Sequence, residues 1–145
     1  MNFTFKKSAI AVTATGFVLF MICVSSPASG QDKPKGKPWL TPESEVKKKN
    51  PIKPDENSLK EGKDIYAQHC KSCHGAKGKG DGPKAAKIDI SSGDFTGEDF
   101  AIQTDAELYW KTTEGRKPMP GFKEKLSDNE RWAVTTYIRS LGKAK

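Results

Sequence analysis

The chain has 145 residues and a formal net charge of +7 at pH 7. About 115 residues follow a candidate N-terminal leader, enough for one domain, and their charge is about +5 because the leader contains two lysines. This moderate excess suits a partner with an acidic docking surface, whereas nucleic-acid binding is disfavoured because no basic stripe with interleaved aromatic residues is present.

The first 30 residues have the pattern of an export signal. Lys6-Lys7 precede an uncharged apolar run over residues 9–24, and small residues follow up to Ala28-Ser29-Gly30, which is typical of a cleavable signal peptide. The alternative is an uncleaved anchor, although the run is shorter than most membrane-spanning helices. Export predicts a periplasmic or other extracytoplasmic location, with membrane association only if the segment is retained. Cys23 would leave with the leader.

Residues 31–57 form an extension rich in proline and lysine that has no helical or strand period. A flexible linker is one interpretation of this composition. The other is that part of the segment lies against the domain, because Trp39-Leu40 and Ile52 are apolar. The sequence leaves both interpretations open.

The domain predicted over residues 58–145 contains three capping-box patterns, in which a hydroxyl and an acidic side chain each bond a free backbone N–H at a helix start. They are Ser58 with Glu61, Thr104 with Glu107, and Ser127 with Glu130. We therefore predict helices over 59–70, 105–113 and 128–141, with Gly115 and Gly142 near the ends of the last two.

The remaining pattern of the domain favours an all-α fold. Val134, Tyr137, Ile138 and Leu141 recur at helical spacing, so one stripe of the third helix should be buried. Four glycines between residues 75 and 82 predict a loop. No stretch alternates convincingly like a β-strand.

The first predicted helix ends at Cys70-Lys71-Ser72-Cys73-His74, the spacing of a c-type haem attachment site. Two thiols one helical turn apart can each bind one vinyl group of the same haem, and His74 is then placed beside the iron. A redox dithiol is one alternative, but it does not need the histidine and normally lies in a strand–helix unit. Zinc is another, but it lacks a second pair of ligands. We therefore expect one covalent haem c, with His74 as an axial iron ligand.

Met119 is the methionine expected to supply the second axial ligand. It is the only methionine after the leader, and it lies between Pro118 and Pro120, which stiffen the backbone around it. The alternative is that Met119 fills a gap in the core. Ligation by His and Met raises the reduction potential relative to two nitrogen ligands. We interpret His69, the other histidine, as a partly exposed helix residue directed away from the iron.

Together these residues resemble class I cytochromes c, particularly the single-haem bacterial forms, over residues 58–142. The resemblance is carried by Gly62-x-x-x-Tyr66 before the Cys-x-x-Cys-His-Gly motif, the glycine loop 78–83, the turn 118–122 and the segment 132–141. It implies a small bundle of about three main helices wrapped around one covalent haem. Residues 88–100 match no pattern of this family.

The resemblance also implies roles for individual residues. Gly62 and Tyr66 would lie where the first helix crosses the last, with Trp132 and Tyr137 as aromatic neighbours. The backbone carbonyl of Pro83 would accept a hydrogen bond from Nδ1–H of His74, which fixes the tautomer and strengthens the imidazole as a ligand. Tyr109 and Trp110 are candidates to approach the haem or its propionates.

The function expected from these features is single-electron transfer between respiratory or dehydrogenase partners, without enzymatic activity. Five lysines could surround an exposed haem edge, or could be ordinary solvated residues: Lys71, Lys77, Lys79, Lys117 and Lys123. One alternative is a haem enzyme or ligand sensor, in which Met119 leaves the iron. Another is a subunit of a larger oxidoreductase.

Overall fold

The computed structural model of the protein describes residues 33–143. The predicted signal peptide over residues 1–30, with Cys23, lies outside the described residues, as do the last two residues of the predicted domain. Within the described part, none of the helices has both the length and the apolar character that a membrane span requires.

Three long helices and several short ones make up residues 33–143. The long helices are α2 (Glu56–His69), α5 (Asp105–Glu114) and α6 (Asp128–Lys143), and the short ones are α1 (Glu43–Val46), α3 (Lys71–His74), α4 (Glu98–Ala101) and a 3₁₀ turn (Ala85–Lys87). In this part of the chain the only extended pairing is an isolated bridge between Arg116 and Met119. The predicted all-α class with about three main helices is therefore confirmed.

The start of α2 differs from the prediction. Asp55 is the N-cap: its carboxylate accepts a hydrogen bond from the backbone N–H of Ser58 (2.8 Å), and the Ser58 hydroxyl accepts one from the backbone N–H of Asp55 (3.0 Å). The predicted box of Ser58 with Glu61 was therefore wrong. Aspartate caps a helix as well as serine does, so the earlier carboxylate begins the helix and Ser58 takes the reciprocal position inside it.

The other two capping boxes are confirmed. The Thr104 backbone N–H donates to Glu107 (2.6 Å), and that of Ser127 donates to Glu130 (2.7 Å), with each hydroxyl accepting in return. Gly142 does not end α6, which continues to Lys143. A side chain at Gly142 would lie 2.9 Å from the carbonyl oxygen of Phe95, so this glycine permits a close approach between two segments.

The centre of the fold is the crossing of α2 and α6. A Cβ atom at Gly62 would lie only 2.3 Å from the carbonyl oxygen of Ala133, so only glycine lets the two backbones approach this closely. Tyr66 is buried beside this point and its ring centroid lies 5.3 Å from that of Tyr137. Trp132 does not join this pair; it stacks on Tyr109 at 3.9 Å.

The extension that precedes α2 contacts the helical domain at several places. The Lys33 ammonium donates to the carbonyl of Ala85 (2.6 Å), and the Trp39 ring lies edge-on to Trp110 (6.2 Å). Asn50 donates to both Asp105 and Thr136 at 3.0 Å, which links the extension to α5 and α6. Residues that are far apart in the described part of the chain thus meet around the helices.

Candidate functional site

A cavity of about 910 Å³ lies between the helices and the irregular segments. Cys70, Cys73, His74 and Met119 all line it, although Met119 is 45 residues further along the chain than His74. Much of the remaining wall is apolar: Ile88, Ile90, Phe95, Phe100, Leu108, Phe122 and Ile138. This volume and lining are typical of a site for a large, mostly apolar cofactor.

The two cysteines lie at the junction of α2 and α3. Cys70 closes α2, and its carbonyl accepts hydrogen bonds from the backbone N–H groups of Cys73 (3.1 Å) and His74 (2.9 Å). Both thiols are free. Burial, with a smaller contribution from Cys73, raises the pKa of Cys70 to about 12. A reactive redox dithiol needs a lowered thiol pKa, so this environment does not favour that alternative.

His74 presents a neutral imidazole to the cavity. Its ring stacks on Phe95 with centroids 4.6 Å apart. Burial lowers the pKa of His74 to about 4, against a smaller opposing effect of the Ser92 backbone. The imidazole is therefore uncharged near neutral pH, which is the form that binds a metal.

The Nδ1 atom of His74 is buried and makes no hydrogen bond of normal geometry to the described residues, although the Ser92 backbone lies close enough to the imidazole to affect its pKa. The turn that contains Pro83 lies against α3, since the backbone N–H of Lys84 donates to Ser72 (2.8 Å) and that of Gly82 donates to Cys73 (3.1 Å). The structure holds no hydrogen bond between the Pro83 carbonyl and Nδ1, so the role of Pro83 stays a prediction.

Met119 lies in a turn that is held at both ends. Its backbone N–H donates to the carbonyl of Arg116 (2.9 Å), and further on the N–H of Phe122 donates to the carbonyls of Thr112 and Thr113 (both 3.1 Å). The backbone is crowded here, because a Cβ atom at Gly115 would lie 2.2 Å from the backbone nitrogen of Gly121. The thioether is thus presented from a fixed turn and not from a helix stripe.

His69 is exposed on α2, and its ring packs edge-on against Phe122 with centroids 5.7 Å apart. It borders the cavity. Neither Tyr109 nor Trp110 lines the cavity. Tyr109 stacks on Trp132, while Trp110 contacts Trp39, which does line it.

Several cations line the cavity, and most of them differ from the lysines predicted to surround an exposed haem edge. The arrangement of those lysines around such an edge stays a prediction. Of the five predicted lysines only Lys79 lines the cavity, whereas five other cations do: Lys33, Lys35, Lys37, Lys111 and Arg116. Three of these belong to the extension. Burial lowers the pKa of Lys111, and the nearby Arg116 lowers it further against the opposing effect of Glu107. Trp39 was the sequence signal for this wall, as an isolated aromatic residue in a polar segment.

The donor set of the cavity fits a haem. It offers two thiols, one neutral imidazole and one thioether within largely apolar walls. In residues 33–143 no cluster of three or more His, Cys, Asp or Glu side chains is arranged to hold a metal ion. Thioether and imidazole are ligands that haem iron takes in proteins.

Comparison with known proteins supplies an independent description of the domain. Residues 57–138 match the sequence model of a family described as cytochrome c oxidase, cbb3-type, subunit III. None of the curated proteins compared with the chain matches it.

The solved structures that are similar to this chain include the following two. One is the Kuenenia stuttgartiensis reducing HAO-like protein complex Kustc0457/Kustc0458, with 35% sequence identity and a TM-score of 0.58 over 74% of this chain. This chain spans 51% of that one, about half its length. The other is the KustC0563 c-type cytochrome, with 29% identity and a TM-score of 0.49; the match covers 55% of this chain and 95% of that one.

Proposed function

The chain belongs to the cbb3-type subunit III family of class I cytochromes c, and we propose that it is a single-electron carrier with one covalent haem c ligated by His74 and Met119. The family implies haem c and electron transfer. The proposal for the individual residues rests on one observation: the two cysteines, the histidine and the methionine line the same cavity.

Each of these residues has a separate task in the proposal. Haem c, when bound, supplies reversible one-electron chemistry at its iron. Cys70 and Cys73 would provide two attachment points one helical turn apart, and the neutral His74 imidazole and the Met119 thioether would bind the iron. The apolar residues of the cavity exclude water, which limits the reorganisation that accompanies a change of charge. We further propose that the Pro83 carbonyl orients His74 through Nδ1–H.

We propose that the protein is not an enzyme, because His74 and Met119 would both bind the haem iron and would leave no position on it for a substrate. The cations at the cavity and the positive charge of the chain support docking to redox proteins with acidic surfaces. The predicted leader supports an extracytoplasmic location. Covalent haem attachment to an exported chain is in keeping with such a location.

A subunit role in a larger oxidoreductase is the second candidate. It is favoured by the similarity to a chain that was solved as part of a Kuenenia stuttgartiensis protein complex. Stable co-purification of the native protein with a dehydrogenase or oxidase would support this candidate, whereas a free monomer would support the mobile carrier.

The test of the proposal is the absorption spectrum and the mass of the purified holoprotein. We expect the mass of the chain plus one haem, a low-spin c-type spectrum and the weak ferric sulfur–iron band. Met119→Ala should lose that band, while Met119→His should stay low-spin without it. Persistence of the band in Met119→Ala would show that another sulfur binds the iron.

Carbon monoxide separates electron transfer from the sensor alternative. The reduced wild-type protein should bind no carbon monoxide at neutral pH, because Met119 would already be bound to the iron, whereas Met119→Ala should bind it. Ready binding by the wild-type protein would instead favour a haem enzyme or sensor.

A further inference from the structure

One wall of the cavity is formed by residues 33–39, which we call the strap. The strap precedes the part of the chain that matches the family model, residues 57–138, and yet six of its seven residues line the cavity. The beginning of the strap is hydrogen-bonded to residues 85–91. The Lys33 ammonium donates to the carbonyls of Ala85 (2.6 Å) and Ala86 (3.1 Å), and the Pro34 carbonyl accepts from the backbone N–H of Ser91 (3.1 Å).

The other end of the strap is fastened by Arg116. The guanidinium donates to the carbonyl of Lys37 (2.8 Å) and lies 4.6 Å from the centroid of the Trp39 ring. Trp39 is in turn packed edge-on against Trp110 at 6.2 Å. A planar guanidinium suits such a place, because it can donate hydrogen bonds and stack on an aromatic face at the same time.

Arg116 also closes the turn that presents Met119. Its carbonyl accepts the hydrogen bond from the Met119 backbone N–H (2.9 Å), and the two residues form the isolated antiparallel bridge of the described fold. The downstream anchor of the turn is the Phe122 N–H, which donates to the carbonyls of Thr112 and Thr113 in α5. The upstream anchor is the residue whose side chain is held by the strap.

We propose that Arg116 is a positioning residue for Met119. By clamping its guanidinium between the Lys37 carbonyl and the Trp39 ring, it holds the Met119 turn against the cavity and so keeps the thioether on the iron. The strap then contributes to the electron-transfer site, because it holds the side chain that positions the Met119 turn. This inference rests on the proposed ligation by Met119.

The consequence is a measurable change in the lability of the sulfur ligand. When the clamp is lost, the turn opens more often and an external ligand enters faster. We would mix oxidised holoprotein with imidazole and follow the loss of the sulfur–iron band, which reports replacement of the thioether by an imidazole nitrogen. We expect a roughly tenfold faster replacement in Arg116→Gln, the size of effect that loss of a charge-assisted hydrogen bond produces.

Three further variants isolate the contribution of the clamp. Trp39→Ala should accelerate the replacement like Arg116→Gln, and the double variant should be no faster than the faster single variant, because both remove the same clamp. Lys125→Gln is the control for charge, since Lys125 is an exposed cation close to the same turn in the chain; its rate should equal that of the wild type.

Each outcome supports or overturns the positioning role. An unchanged rate in Arg116→Gln, or an equal acceleration in Lys125→Gln, would overturn it. Independent, multiplicative effects in the double variant would do the same, because they would indicate that Arg116 acts directly on the haem. If Arg116→Gln yields no folded holoprotein, Arg116→Lys with Trp39→Phe provides the milder pair. Absence of the sulfur–iron band in the wild-type protein would instead refute ligation by Met119.

Discussion

Two regions that border the cavity are held together in different ways. At the crossing of α2 and α6 the backbones touch at Gly62 and Ala133, and the surrounding contacts are among buried apolar side chains. In the irregular wall, which consists of the strap and residues 88–95, single polar contacts join backbone to distant backbone. Examples are Phe95 N–H to the carbonyl of Gly78 (2.7 Å) and Ser91 N–H to that of Pro34 (3.1 Å).

This difference predicts a division of the domain into two parts, one that unfolds only globally and one that can loosen locally. Many small apolar contacts between helices break together, so the crossing should govern the global stability of the domain. A wall joined by a few polar contacts can loosen locally while the helices stay folded. The attachment motif lies at the end of α2, on the rigid side, whereas the methionine turn depends in part on the strap.

The largest expected effect is on the helix crossing itself. Gly62→Ala should lower the free energy of unfolding by about 3 kcal/mol or more, because the new Cβ atom meets a backbone carbonyl that cannot move aside without separating α2 from α6. Denaturant unfolding of the holoprotein measures this. Gly97→Ala is the matched control, since its Cβ would lie 3.5 Å from its nearest neighbour; a comparable loss there would mean that any glycine replacement is costly.

The same division explains what could be predicted from the sequence. Capping residues and apolar stripes act over a few residues, so the three long helices and two of their three caps were predictable. The start of α2 was missed because Asp55 and Ser58 are both good caps and sequence alone did not rank them. The attachment motif and Met119 could be identified from the sequence as candidate site residues. The motif is a local spacing, and Met119 is a single methionine between two prolines.

The irregular wall could not be predicted for a physical reason. It has no period, and its contacts join residues that are far apart in the chain, such as Lys33 and Ala85, which are 52 residues apart. Nothing in the local sequence around Arg116 indicates that its side chain reaches Lys37 and Trp39. Residues 88–100, which match no familiar pattern, contribute much of the apolar lining.

Phe95 offers a test of whether the wall is locally or globally important. Its side chain is half-buried and its ring stacks on His74. The centroid of the Phe95 ring lies 5.0 Å from that of Phe100. Phe95→Ala should lower the free energy of unfolding by about 2 kcal/mol, less than a fully buried phenylalanine would cost. Hydrogen exchange should accelerate in residues 88–100 and remain slow in α2 and α6.

Phe95→Leu keeps most of the apolar volume and should retain most of the stability. Uniform acceleration of hydrogen exchange across the helices in Phe95→Ala would contradict the division, because the wall would then belong to the same cooperative unit as the crossing.

A smaller effect is expected at the start of α5. Thr104→Ala removes the hydroxyl that accepts from the Glu107 backbone N–H (3.2 Å), which should lower the free energy of unfolding by about 1 kcal/mol. Thr104→Ser retains the hydroxyl and should be close to the wild type. Thermal unfolding of the three proteins measures the difference. If serine were as damaging as alanine, the stabilisation would come from the methyl group of Thr104 and not from its cap.

The smallest expected effect concerns a polar contact within the helical region, between α5 and α6. The Tyr109 hydroxyl donates to the Asp128 carboxylate, which also accepts from the Arg131 guanidinium (2.7 Å). The hydrogen bond from Tyr109, followed by that from Arg131, lowers the pKa of Asp128 below its ordinary value. A carboxylate with a lowered folded-state pKa contributes stability above its unfolded-state pKa, and this contribution is lost as the pH falls through the folded-state pKa.

Tyr109→Phe keeps the ring that stacks on Trp132 but removes the donor, so the pKa of Asp128 should rise towards its ordinary value. The stability difference between wild type and variant should then be present near neutral pH and shrink in acid. A carboxyl titration followed by NMR, with unfolding measured at each pH, tests both statements. Because the Asp128 side chain is largely exposed, solvent screens the interaction and the change should be modest. An unchanged pKa in Tyr109→Phe would mean that Arg131 alone holds the carboxylate, and that the helical region depends on apolar contacts even where polar groups bridge it.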